Sequence, residues 1–481
     1  MCHDKLAKYE FKISKYQKNM KPSFFTHMAL SALLVVTVAT TVHAQKSMAP
    51  REASGTNNAI ADSNVLAKLE RWKDLKFGVL FHWGVYTTQG IPESWNLCSE
   101  RWIDTRPAGS KYDEYKSWYF GLSEKLNPTQ FNPDQWATAM EDAGMRYMIF
   151  STKHHDGFCM FDTKETDYKI TNGPFASNDS ADVTRFVLDA FRNHGFMVGC
   201  YFSKPDWHCQ WFWNPYYATP DRYVNYDTIR HADWWQNFKR YTQNQLHELT
   251  HNYGNIDLLW LDGGWVKGSV FNLDSLVTSF RATTQKGLLC IDRTAGHNED
   301  YKTWENTLPD KQLPYAWEYV AKLSSMWPWS RNNDIYLKSR ATIVNTLIEV
   351  IAKGGNYLLG VGPDPRGLIT DATVARLKEV GQWVKANSEA IYNTRPTPVY
   401  NSGNVWFTAN KDLRTLYAFY ALPSDATLPS VVTWTGNVPV GKMTVVSTGK
   451  DVKYEVSGQE VSVTLPAGMP QESFALKFTI K

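Results

Sequence analysis

The chain has 481 residues, 43% hydrophobic and 21% charged, which excludes a disordered polymer and provides for two to three domains. Its formal charge of +3 is concentrated at the front: without the six Lys, Asp4 and Glu10 of residues 1–44, the remainder holds 45 basic against 46 acidic residues. A near-neutral body with no basic run excludes an electrostatic footprint for nucleic acid or an anionic membrane.

In chain order, Lys21 precedes an apolar run over residues 28–42, and Val42-His43-Ala44 places small residues at −3 and −1 before Gln45. This pattern predicts a signal peptide over 1–44 cleaved after Ala44, with Met20 as an alternative start, and an exported chain, periplasmic or secreted, with no membrane insertion after cleavage. The run is short for a membrane span. Residues 45–62 are small and polar and read as a linker. Five Cys follow the leader, too few and too scattered for a disulfide scaffold or a CxxC metal site.

Over residues 63–395, short apolar runs alternate with amphipathic stretches. The predicted strands are 76–82, 147–152, 197–202, 256–261, 288–291 and 356–361. Predicted helices include one capped by Asn132-Pro133 and ending at Gly144, and another from 181 to Gly195. Repeated strand–helix units predict parallel β/α architecture. Polar residues follow the strands at once: His82-Trp83-Gly84, Lys153-His154-His155-Asp156-Gly157, Tyr201 with Ser203, Asp262-Gly263-Gly264-Trp265, and Arg293. Such groups at several strand C-termini are how a (β/α)8, TIM-like barrel builds a site, and no GxGxxG or GKS/T motif supports a nucleotide fold. From 396 to 481 the period changes to two, with turn residues at Ser402-Gly403, Thr435-Gly436, Thr448-Gly449 and Ser457-Gly458. That predicts an antiparallel β-sandwich of accessory character.

Asp262 ends an apolar run, so its carboxylate emerges at the barrel mouth, suited to act as nucleophile or general base or to cap the next loop. His154-His155-Asp156 could ligate a metal, but adjacent His at a strand end diverge and no HxH or HExxH motif accompanies them. Imidazoles also bond sugar hydroxyls, and the aromatic content of 14% suits flat, amphipathic sugar rings. Glycoside hydrolysis with retention needs a second carboxyl group about 5–5.5 Å from the nucleophile. Glu93, Glu299, Glu305 and Glu318 are available, and spacing does not choose between them.

Five motifs occur in order: Phe81-His82-Trp83-Gly84; Lys153-His154-His155-Asp156-Gly157-Phe158; Leu259-Trp260-Leu261-Asp262-Gly263; Lys353-Gly354-Gly355-Asn356; and Gly381-Gln382-Trp383 with Asn387-Ser388-Glu389-Ala390-Ile391-Tyr392. Together they resemble the α-L-fucosidases of glycoside hydrolase family 29 over about residues 62–395. The resemblance implies a retaining exo-enzyme on fucosylated oligosaccharides or glycoconjugates, needing no cofactor or metal. It implies Asp262 as nucleophile and a fucose pocket of His82, Glu93, Trp95, His154, His155, Tyr201, Trp265 and Arg293, with Trp327 near the sugar's methyl group. For the acid/base, Tyr301-Lys302-Thr303-Trp304-Glu305 matches one branch of the family and favours Glu305. Glu318 matches a neighbouring carboxylate and is the alternative, although Tyr319-Val320-Ala321 after it departs from the usual pattern. Another glycosidase or a metal-dependent hydrolase on the same barrel, or a non-catalytic fucose-binding protein, are the competing readings.

Overall fold

The computed structural model describes residues 60–98, 106–107, 109–219, 221–294 and 296–481. The expected leader (1–44) and all but the last three residues of the expected linker (45–62) lie outside them. The described chain begins at a helix cap, where Asp62 accepts from Asn64 N at 2.8 Å and starts α1 (Ser63–Leu75). Then come β1 (Phe77–Phe81), α2 (Tyr112–Phe120), α3 (Pro133–Asp142), β2 (Tyr147–Lys153), α4 (Val183–Asn193) and β3 (Met197–Ser203). Next are α5 (Ala232–Asn252), β4 (Leu258–Asp262), α6 (Leu273–Ala282) and β5 (Leu289–Cys290). β6 (Lys302–Glu305), β7 (Trp317–Lys322), α7 (Arg340–Ala352), β8 (Asn356–Val361) and α8 (Asp371–Ala386) complete the series. The two helices predicted from their caps are α3, where Asn132 Oδ1 accepts from Gln135 N at 3.2 Å, and α4.

The eight strands form one parallel sheet ordered β5-β4-β3-β2-β1-β8-β7-β6, so the first and last strands are neighbours and the sheet curls. Its ends meet at a parallel bridge between Ile291 and Tyr301, beside a bond from Asp300 N to Cys290 O at 2.9 Å. This is the expected TIM-like barrel, with one departure: the β5–β6 and β6–β7 connections carry no α-helix among the described residues. The strands are buried on both faces, which is why most read as unbroken apolar runs. Phe77, Val79 and Phe81 pack outward in the cluster that holds the helices' apolar faces, including Val183, Val187 and Phe191 of α4. Each such side chain contributes about 1.5–3 kcal/mol on burial. Inside, Leu80, Tyr147, Tyr201, Trp260, Val320 and Leu358 cluster with Val65, Leu69 and Trp72 of α1. Trp72 lies 4.4 Å ring-to-ring from Tyr301 and 6.1 Å from Tyr147, so α1 plugs the end of the barrel away from the strand C-termini.

After residue 394 a second, antiparallel sheet of eight strands runs from Arg395 to Thr479. Phe407, Val432, Trp434, Val461, Val463, Phe474, Leu476 and Phe478 fill its core, the alternation the sequence shows. Trp383 of α8 donates to Ser473 O at 2.6 Å, and Arg395 pairs with Asp74 and Glu70 of α1. Cys98, Cys159, Cys200, Cys209 and Cys290 are all buried free thiols. Among the described residues no helix is long and apolar enough to cross a membrane.

Candidate active site

Asp262 is the last residue of β4, opposite Ser203 at the end of β3. Its Oδ1 accepts from Gly263 N at 2.7 Å and from Arg293 Nη1 at 3.0 Å, and its Oδ2 accepts from the Tyr201 hydroxyl at 2.8 Å. Gly263 has φ +79°, and a Cβ there would collide with Pro205, so only glycine lets the chain turn away directly behind the carboxylate. Burial opposes the charge on Asp262, but Arg293, the Tyr201 hydroxyl and the Gly263 amide together outweigh it and hold the carboxyl well below the usual range. The group is ionised throughout the physiological range.

Arg293, in the 3-10 turn (Asp292–Thr294) that follows β5, spans two carboxylates. Its Nη1 bonds Asp262, and its Nη2 donates to Glu305 Oε2 at the end of β6. The guanidinium lies 5.0 Å over the Trp260 ring. Glu318 is elsewhere. Fully buried on β7, it accepts from Trp260 Nε1 (2.7 Å), Thr303 Oγ1 (3.2 Å) and the Tyr147 hydroxyl (3.3 Å) inside the barrel. Burial, partly offset by these donors, raises its pKa to about 7. The indole of Trp260 separates it from Arg293. Glu299 accepts from Gly296 N in the β5–β6 connection.

The two adjacent histidines diverge: His154 Nδ1 meets the Ser94 hydroxyl, and His155 Nδ1 meets Ser203 Oγ at 2.7 Å. Ser203 donates its proton to Pro205 O at 2.6 Å, so His155 must be the donor at Nδ1. That leaves His155 Nε2 a bare lone pair, buried, 3.7 Å from Asp262 Oδ2 and without a hydrogen-bond partner. His82 Nδ1 is likewise buried and unpartnered. Burial holds both rings neutral, with His82 pushed down to about 3 and His155 to about 4. Buried polar atoms left open in a cleft are places for ligand hydroxyls.

Aromatic rings supply the walls. Tyr201 stacks between His154 (5.6 Å, 1°) and Trp260 (5.3 Å, 22°), and His82 stacks on Trp327 (5.2 Å, 28°). Trp327 can lie there because β8 carries Gly360 beneath it, where a Cβ would come within 2.7 Å of the indole. Trp95 and Trp265 face each other at 5.7 Å, each about 5 Å from His155. Glu93 is buried in the turn before Trp95, and burial raises its carboxyl to about 7, helped by the charges of Glu305 and Asp262.

Residues 43–389 match the family model for alpha-L-fucosidase. The chain belongs to the alpha-L-fucosidase family. It is thus a glycoside hydrolase. Among fucosidases, it is 26% identical to the alpha-L-fucosidase of Dictyostelium discoideum over 425 residues, 83% of this chain and 86% of that one. It is 28% identical to the tissue alpha-L-fucosidase of Bos taurus over 449 residues, 85% and 88% of the two chains. Of solved structures, alpha-L-fucosidase isoenzyme 1 from Paenibacillus thiaminolyticus superposes with a TM-score of 0.73 at 27% identity, over 87% of this chain and 100% of that one. The Thermotoga maritima alpha-fucosidase in complex with a mechanism based inhibitor gives 0.70 at 25%, over 85% and 96%.

Two buried cations of this fucosidase-family site escape a reading of the sequence. Lys204, directly after β3, donates through Nζ to Arg293 O, and burial lowers its pKa to about 7 against the pull of Asp262. Arg222 sits with its guanidinium 5.2 Å over Trp95 and 5.0 Å over Trp265, and its carbonyl accepts from Trp265 Nε1 at 3.0 Å. Lys204 carried a signal in its place at a strand end. Arg222, inside a long loop, carried none.

Proposed function

We propose that the chain is an exo-acting, retaining α-L-fucosidase that releases terminal α-L-fucosyl residues from glycans through a fucosyl ester on Asp262. One observation carries this reading: an ionised strand-end carboxylate and a second carboxyl group, Glu305, are held on the two terminal nitrogens of one guanidinium. That is the close pairing a double-displacement mechanism requires.

L-Fucose presents hydroxyls on one side and an apolar methyl on the other. The open nitrogens of His82 and His155 accept from the hydroxyls, Glu93 bonds another, and Trp327 covers the methyl group. Oδ1 of Asp262 is taken by Arg293 and Gly263, so Oδ2, steadied by Tyr201, attacks the anomeric carbon. Glu305 exchanges the Arg293 contact for the substrate, takes up a proton from solvent as it does so, and gives that proton to the leaving glycosidic oxygen. It then takes a proton from the water that hydrolyses the ester. Glu318, with its donors inside the barrel, supports Trp260 and Thr303 and takes no part. Export to the periplasm or medium, with cleavage after Ala44, completes the proposal and is read by N-terminal sequencing of the native protein.

The test is hydrolysis of an aryl α-L-fucoside followed by NMR. Release of α-L-fucose as the first product supports the reading, and β-L-fucose contradicts retention. No turnover of any fucoside favours a binding protein. Activity lost to chelators favours metal-dependent hydrolysis through His154, His155, Asp156 and Asp262.

A further inference from the structure

We propose that the face presented by residues 216–219 and 221–234, beside the pocket, binds the sugar chain to which the fucosyl residue is attached; this rests on the fucosidase reading above. A pocket that encloses one terminal sugar leaves the rest of the glycan outside, against whatever surface borders the mouth. The border here is residues 204–219 and 221–231, between β3 and α5. In a parallel barrel the end of a strand and the start of the next helix lie on the same face, the face that carries Asp262.

The segment is continuous with the pocket wall. Trp207 lies 5.1 Å from His155 and stacks on Trp213 (5.0 Å, 6°), and Arg222 covers Trp95 and Trp265. The next residue, Tyr223, is 48% exposed, and its carbonyl accepts from Trp213 Nε1 at 2.9 Å. Beyond it, Tyr216 is 87% and Tyr217 43% exposed. Tyr217 reaches His231 Nε2 at 3.1 Å, and the His231 ring stacks on Trp234 (4.2 Å, 13°). Asn225 fastens the turn by donating to Asn214 O and Tyr217 O. Exposed tyrosine rings, one of them anchored on His231 and Trp234, are costly for a monomer to expose and well matched to the apolar faces of pyranose rings. The adjoining pocket makes a glycan the occupant.

The test compares two substrates on the same variants, Tyr223→Ala and the double variant Tyr217→Ala/Trp234→Ala. One substrate is an aryl α-L-fucoside, which has no further sugars. The other is the best hydrolysed member of a panel of fucosylated oligosaccharides of different linkage. The expected result is about a two- to tenfold fall in kcat/KM for the oligosaccharide, a factor matching one lost stacking contact, with the aryl fucoside unchanged and Tyr223→Phe close to wild type. Equal losses on both substrates would assign these rings to folding or pocket shape and overturn the proposal, as would no loss on either. Failure of the wild type to cleave any fucoside would instead sink the fucosidase reading beneath it.

Discussion

Asp262 and Glu305 meet on a single side chain: Arg293 places Nη1 3.0 Å from Asp262 Oδ1 and bonds Glu305 Oε2 through Nη2. Two carboxylates side by side repel, and a planar guanidinium is the side chain whose geometry joins both at once. The run from β5 to β6, which has a 3-10 turn at Asp292–Thr294 and no α-helix among the described residues, brings Arg293 beside Glu305 at the end of β6, at the barrel's irregular seam.

A general acid matters most when the leaving group is poor. Glu305→Ala should therefore cripple cleavage of natural glycans while sparing aryl fucosides with acidic phenols, and azide should restore turnover with α-L-fucosyl azide as product. Glu318→Ala should show neither leaving-group dependence nor azide rescue. The reverse assignment of these two patterns would move the acid/base role to Glu318.

Arg293→Met removes a donor aimed at the nucleophile and frees the two carboxylates to repel, and kcat/KM should fall by about 10²–10³. Arg293→Lys should recover only part of that, because an ammonium cannot bridge both groups. Tyr201→Phe keeps the ring between His154 and Trp260 and loses one bond to a charge, so the fall should be about 10–100-fold with the melting temperature little changed. Wild-type rates in Arg293→Met would refute the bridge as a catalytic element.

β1 to β5 and β8 were legible as apolar runs, as were the polar residues at or just beyond the ends of β1 to β4. β6 and β7 were not. Lys302-Thr303-Trp304-Glu305 is short and mostly polar, and Trp317–Lys322 mixes Glu318 into an apolar run; barrel closure and the pairing of Thr303 with Glu318 make them strands. Both candidate acids sit on these two strands, so spacing could not separate them, whereas the bonds that each accepts place one at Arg293 and the other under Trp260. The divergence of His154 and His155 was legible from their adjacency at a strand end. Their partners, Ser94 and Ser203, follow from tertiary contacts alone.

Burial gives Glu318 a testable pH signature. Its folded pKa of about 7 lies above the unfolded 4.5, so the native state holds the extra proton between those values. The stability this group contributes is fully present below about pH 4.5 and is lost as pH rises to about 7. Glu318→Gln removes the titration and keeps an oxygen for Trp260 and Thr303. Its melting temperature relative to wild type should therefore rise from pH 5 to pH 8, while activity on aryl and natural substrates changes in the same proportion. A constant difference across that range would show that Glu318 does not titrate there.

The nucleophile is the centre of the account, and covalent trapping addresses it most directly. A 2-deoxy-2-fluoro-α-L-fucosyl donor with a good leaving group slows both steps and lets the ester accumulate. Mass spectrometry of the digested protein should find the 2-fluorofucosyl group on the peptide containing Asp262, and the Asp262→Asn variant should remain folded, unlabelled and inactive. A label on Glu305, Glu93 or any other carboxylate, or stoichiometric inactivation of Asp262→Asn, would contradict it.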